Sequence, residues 1–155
     1  MKAGEVEKRL PVTVKSSNLL AYGPASANGL TATVTDDGGL HVTGQTSVAH
    51  KGIEWNIPAE TVAEMRGRFC VFNSARMPSG MYAYVHLTGV AGADLGNITS
   101  GVSMLVPETV KYVKLRVVPN TTNHVEGDTR IQLNFGDAAV EWMRPDTTDL
   151  EGGGV

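Results

Sequence analysis

Between Leu30 and Thr43 apolar and polar side chains take turns in two short runs. Leu30, Ala32 and Val34 alternate with Thr31, Thr33 and Thr35, and Leu40 and Val42 alternate with His41 and Thr43. Asp36-Asp37-Gly38-Gly39 separates the runs. A period of two sends successive side chains to opposite faces, and Asp and Gly suit a tight turn, so this stretch predicts a β-hairpin with one apolar face. Similar alternation recurs downstream. Ile53, Trp55 and Ile57 share a face, which makes Trp55 a core residue. Strands are also expected at Asn18-Leu19-Leu20, at 68–73, at 81–87, at 103–106, at 113–117 and at 131–135. Residues 58–65 predict the one helix, a turn or two long. Residues 89–101, rich in Gly, Ala, Asp and Asn, predict a long loop.

Eight or nine short strands with turn signals between them, and no alternation of strands with helices, predict an all-β antiparallel sandwich with one short helix. Composition agrees: 18 glycines and 7 prolines accompany many threonines in 155 residues. That length suffices to bury a core without metal or disulfide staples. Cys70, the single cysteine, lies in the apolar run Phe69-Cys70-Val71-Phe72 and is expected as a buried, inert thiol. The expected organisation is an N-terminal arm at 1–17, a sandwich domain at 18–145, and a flexible, acidic, glycine-rich tail at 146–155.

Two segments carry a family resemblance. The hairpin with its leading Asn28-Gly29 resembles the opening hairpin of bacteriophage virion proteins built on a carbohydrate-module-like jelly roll. The stretch Gln132 to Pro145 resembles the ending of those domains: Gln132, Leu133, Gly136, Ala139, Trp142 and Pro145 fit the pattern. Asn134 stands where the family has an acidic residue, Val140 where it has threonine, and one extra residue separates Trp142 from Pro145. The resemblance implies a jelly roll closed at its edge by Trp142. It also implies a non-enzymatic virion protein, a capsid decoration or minor capsid component that stabilises the head. Its partners would be the major capsid protein or other virion proteins, with homo-oligomers expected and the virion, assembled in the host bacterial cytoplasm, as its location. The alternative is a carbohydrate-binding module or tail-fibre component that takes host-surface glycans.

Charge and chemistry narrow the field. Formal net charge is −3, with no basic stripe, which argues against nucleic acid; no stretch is apolar and long enough to span a membrane as a helix. Residues 1–15 are net +2, with Lys2, Lys8, Arg9 and Lys15 as candidate arm contacts, whereas residues 137–155 are net −4. His41, His50, His86 and His124 show no metal-ligand spacing, and no nucleophile elbow, phosphate loop or dinucleotide fingerprint is present. No cofactor, metal or catalytic residue is expected. A structural calcium, which the family resemblance raises, would draw on Asn18, Asp36 or Asp128, but no contiguous acidic loop accompanies them.

What remains is a polar face. If odd-numbered residues of the strands at 81–87, 113–117 and 131–135 fill the core, the opposite side gathers Tyr82, Tyr84, His86, Tyr112, Lys114, Arg116, Arg130, Gln132 and Asn134. Tyrosines with planar polar neighbours suit a subunit interface or a sugar site, and they also serve an ordinary exposed sheet by cross-strand pairing.

Overall fold

The computed structural model describes residues 15–155. Among these residues eleven strands form two antiparallel sheets around one core. They are β1 (Ala25–Ala27), β2 (Leu30–Val34), β3 (Leu40–Gly44), β4 (Ile53–Asn56), β5 (Phe69–Ala75), β6 (Met81–Thr88), β7 (Asp94–Thr99), β8 (Ser103–Leu105), β9 (Tyr112–Pro119), β10 (Val125–Phe135) and β11 (Gly153–Gly154). One α-helix among the described residues, α1, is Ala59–Met65. One sheet has the order β1-β2-β3-β10-β5-β8 and the other β11-β4-β9-β6-β7. The expected all-β sandwich is therefore present.

The hairpin forms as its alternation requires. Thr33 faces His41 and Ala32 faces Val42 across β2 and β3, and the Thr35 and Gly39 backbones close the turn at 3.0 Å. Leu30, Ala32, Leu40 and Val42 point inward. They meet Ile53, Trp55, Val85, Leu87, Leu115 and Val117 from the facing sheet, together with Phe72, Ile131 and Leu133. Trp55 is buried, with the Tyr22 ring edge-on at 6.3 Å. Its indole Nε1 has no hydrogen-bond partner.

Three expectations change. Asn18-Leu19-Leu20 is not a strand; it runs beside β10 where β3 has ended, since β3 pairs only with residues 125–129 of β10. Leu19 N–H donates to Leu133 O at 2.7 Å, and the Asn18 side chain completes the seam. The loop at 89–101 contains β7, which pairs with β6 through an irregular register at Leu87/Thr88. An edge strand buries few side chains, and in β7 only Ile98 is fully buried, so its composition reads as a loop. Lastly, residues 146–155 are not a free tail. Asp146 accepts the Ser16 N–H, Leu150 N–H donates to Tyr22 O at 3.2 Å, and β11 pairs with β4. The sandwich domain thus extends through Gly154.

Cys70 is buried, and burial pushes its thiol up to about 11 against the opposing pull of Arg68. The folded protein should resist iodoacetamide, with labelling tracking unfolding in denaturant. Prompt stoichiometric labelling under native conditions would contradict this placement.

Candidate functional site

Pairing of β4, β9, β6 and β7 decides which polar side chains meet. Across the outer face of the five-stranded sheet, Glu54 stands beside Arg116, Arg116 beside Tyr84, and Tyr84 beside Thr99. One row along, Lys114 stands beside His86 and His86 beside Asn97. Strand alternation explains the arrangement: Val85, Leu87, Val113, Leu115 and Val117 point into the core, which turns their even-numbered neighbours outward.

These side chains are mutually held. Tyr82 and Tyr84 stack with ring centroids 5.9 Å apart at 15°. The Tyr82 hydroxyl and His50 Nδ1 are 2.8 Å apart. Arg116 Nε donates to Glu54 Oε1 at 3.0 Å, and Lys114 Nζ donates to Oε2 of the same carboxylate at 3.1 Å. The Arg116 guanidinium also lies 6.0 Å from the Tyr84 ring centre. His86 Nδ1 sits 2.6 Å from Asn97 Oδ1. Partial burial, with Tyr84 alongside, raises the Tyr82 phenol above its ordinary pKa. A cleft of about 390 Å³ opens at one end of this face, bordered by Ser74, Tyr82, Tyr84, Asn97, Thr99 and Ser100. Tyr112 lies at the opposite end, exposed, beside Thr88 and with Lys111 Nζ 6.0 Å from its ring centre.

The nine residues read as one face are therefore divided. Tyr82, Tyr84, His86, Tyr112, Lys114 and Arg116 share the outer side of one sheet. Arg130, Gln132 and Asn134 belong to β10 in the other. Gln132 and Asn134 are buried beneath the segment that follows β10: Gln132 Nε2 donates to Val140 O, Met143 N–H donates to Gln132 Oε1, and Asn134 Nδ2 donates to Ala138 O. They are fasteners rather than contact residues. Trp142 belongs to that same overlay, its Nε1 donating to Ile131 O at 3.0 Å. Arg130 pairs with Asp37 and lies over the Trp142 ring at 4.9 Å. Asp37 is held at about 2 by the Thr35 hydroxyl, the Gly39 N–H and Arg130. A second cleft, of about 340 Å³, adjoins this pair between Thr35, Asp36, Arg76, Asp128 and Arg130.

Glu54 and His50 join the tyrosine face without any motif to mark them. Alternation in Ile53-Glu54-Trp55 already turned Glu54 outward. That β4 lies next to β9 was not legible. Of the arm residues, Lys2, Lys8 and Arg9 lie outside the described residues, and Lys15 pairs with Glu64 at 2.9 Å. Asn18 has no side-chain oxygen to spare for calcium, because its Oδ1 accepts the N–H groups of Leu20 and Leu133. Among the described residues no group of three or more His, Cys, Asp and Glu side chains is placed to hold a metal ion.

No family model matches this chain, and no curated protein matches it. A solved structure does. It is a chain from the crystal structure of accessory secretory protein 1, 2 and 3 in Streptococcus pneumoniae, with a TM-score of 0.52 and 11% identity over 81% of this chain and 99% of that one. The likeness is one of fold. It overturns the expected virion role, since a protein that shares this sandwich is a bacterial accessory secretory protein and not a phage capsid component. The capsid partners go with that role. So does the alternative of a carbohydrate module or tail fibre, whose glycan reading had also drawn on the outward tyrosines.

Proposed function

We propose that this protein is a non-enzymatic binding module of a multi-protein assembly, and that it holds a partner protein through the outer face bearing Tyr82, Tyr84, Arg116 and Glu54. The observation that carries this reading is the prearranged aromatic and charged row on that face. Stacked Tyr82 and Tyr84 and the Glu54-tethered Arg116 are half-buried before any partner arrives. Ordering such side chains in advance lowers the entropy cost of association, and tyrosine and arginine are the residues on which interface energy concentrates. Glu54 offsets one of the two cations beside it, so the cluster of Glu54, Lys114 and Arg116 carries a single net positive charge that an acidic group on a partner could meet. The solved structure sharing the fold contains accessory secretory proteins 1, 2 and 3 together, which supports a protein as the class of partner.

The test is co-purification of the full chain from its own cells, identification of the retained protein, and titration of the two purified components. Tyr84→Ala is expected to weaken binding by about thirtyfold, as loss of a 2 kcal/mol hot spot does. If Tyr84→Ala and Arg116→Ala both bind as the unaltered protein does, or no protein is retained, this function fails.

A further inference from the structure

Strands β8 and β7 end their sheets on the same side of the sandwich, and they differ in how that end is finished. β7 begins with Asp94 and carries the register irregularity, two features that discourage pairing with a foreign strand. β8 has neither. From Gly101 to Pro107 the chain is uncharged. Phe69 of β5 and Leu105 of β8 are register partners, each 51% exposed, and Val102 is 50% exposed just before β8.

Among the described residues the ladder also fixes which backbone groups of β8 are free. Val106 N–H donates to Arg68 O at 2.9 Å. Antiparallel pairs alternate between bonded and non-bonded, so Met104 faces Cys70 as a bonded pair. Ser103 and Leu105 then turn their N–H and C=O groups to the open side.

We propose that β8 is a self-association edge, across which two copies of this chain pair antiparallel about a two-fold axis at Met104. In that register Ser103 of each copy lies opposite Leu105 of the other, and the free amides and carbonyls of both residues satisfy one another. Charge selects a second copy as the occupant. Near a two-fold axis every group approaches its own duplicate, so a charged strand repels itself, and Gly101–Pro107 has no charge to repel. Arg68, a cation beside the patch, is turned onto the Phe135 ring at 3.5 Å. The row with Lys114 and Arg116 lacks this property. With three residues in β8, the dimer belongs with the small, readily dissociating interfaces.

Sedimentation equilibrium of the full chain tests this. Over about 10 µM to 1 mM, a span matched to a micromolar constant, the mass should rise from the 16.4 kDa monomer toward twice that value. Leu105→Lys and Leu105→Glu should each weaken self-association at least about tenfold, as like charges meet across the axis. Mixing the two variants should restore it, because diagonal neighbours of opposite sign attract at roughly 7–8 Å. Circular dichroism confirms that each variant is folded, and Phe69→Lys serves as the second disrupting substitution should a Leu105 variant fail to fold. A monomer throughout the range, unchanged association of the disrupting variants, or no recovery on mixing would overturn the proposal. Tyr84→Ala should leave self-association intact; if it does not, the pairing edge lies elsewhere and the proposal falls, whatever the outcome of the partner titration.

Discussion

Asn18→Ala is expected to destabilise the protein by about 3–5 kcal/mol, because it would strand several buried backbone groups at once. The Asn18 side chain is 3% exposed. Its Nδ2 donates to Ile131 O at 3.0 Å and Met143 O at 2.9 Å, while its Oδ1 accepts from Leu20 N–H and Leu133 N–H, each at 3.2 Å. Ile131 O keeps a donor in Trp142 Nε1. Among the described residues the N–H groups of Leu20 and Leu133 would have none, whereas the carbonyl of exposed Met143 could turn to water. Each buried orphan costs about 1–3 kcal/mol, partly recovered if water enters, and hence the stated range. Asn18→Asp separates bonding from packing: it preserves shape and acceptors but sets a carboxylate against two carbonyl oxygens, and it should be about as damaging at neutral pH. Urea unfolding decides the matter, and a loss below about 1 kcal/mol for Asn18→Ala would show that the seam between residues 16–20 and β10 closes without this side chain.

Deleting residues 146–155 should also cost stability, on the order of 3–6 kcal/mol from lost hydrogen bonds and uncovered apolar surface. The segment supplies the Asp146 carboxylate to Ser16, the Thr147 carbonyl to Tyr22 N–H, and the Leu150 N–H to Tyr22 O. Further along, β11 covers the edge of β4, and Val155 N–H reaches Gly52 O at 3.1 Å. The chain passes so close to Trp55 that a Cβ on Gly152 would stand 2.6 Å from its Nε1 and 2.9 Å from the Ala25 Cβ. For a chain of this length a 3 kcal/mol loss lowers the melting temperature by about 6–12 °C. Gly152→Val makes the same point with one substitution, by wedging β11 off the indole. A melting temperature unmoved by both changes would return residues 146–155 to the status of a dispensable tail.

Two misreadings share a cause. Gln132 and Asn134 alternate with Ile131 and Leu133 as cleanly as Tyr84 alternates with Val85, so each pattern yields an outward polar residue. One outer face is then covered by residues 138–143 and the other stays open to solvent. Alternation reports only that a side chain points away from the core; it carries no information about what later lies on top. The C-terminal segment reads as a tail for the converse reason, since apart from the Asp146 carboxylate and the space left by Gly152 its role rests on backbone groups of Thr147, Leu150 and Gly153 that carry no sequence signal.

By itself the sequence determined the all-β class, the hairpin through Asp36-Asp37-Gly38-Gly39, the inward set from Leu30 to Leu133 with Trp55 among it, and the outward side of Tyr82, Tyr84 and Arg116. These follow from local geometry, in which a strand's period of two converts residue order directly into faces. Tertiary structure alone decided that β4 lies beside β9, bringing Glu54 to Arg116 and Lys114. It likewise decided that β10 lies in the opposite sheet from the tyrosines, that Asn18 seals the end of β3, and that β8 is left uncovered by any other described strand. Strand neighbours far apart in the chain are chosen by the packing of the whole core, a global sum of contacts to which no single stretch of residues holds the key.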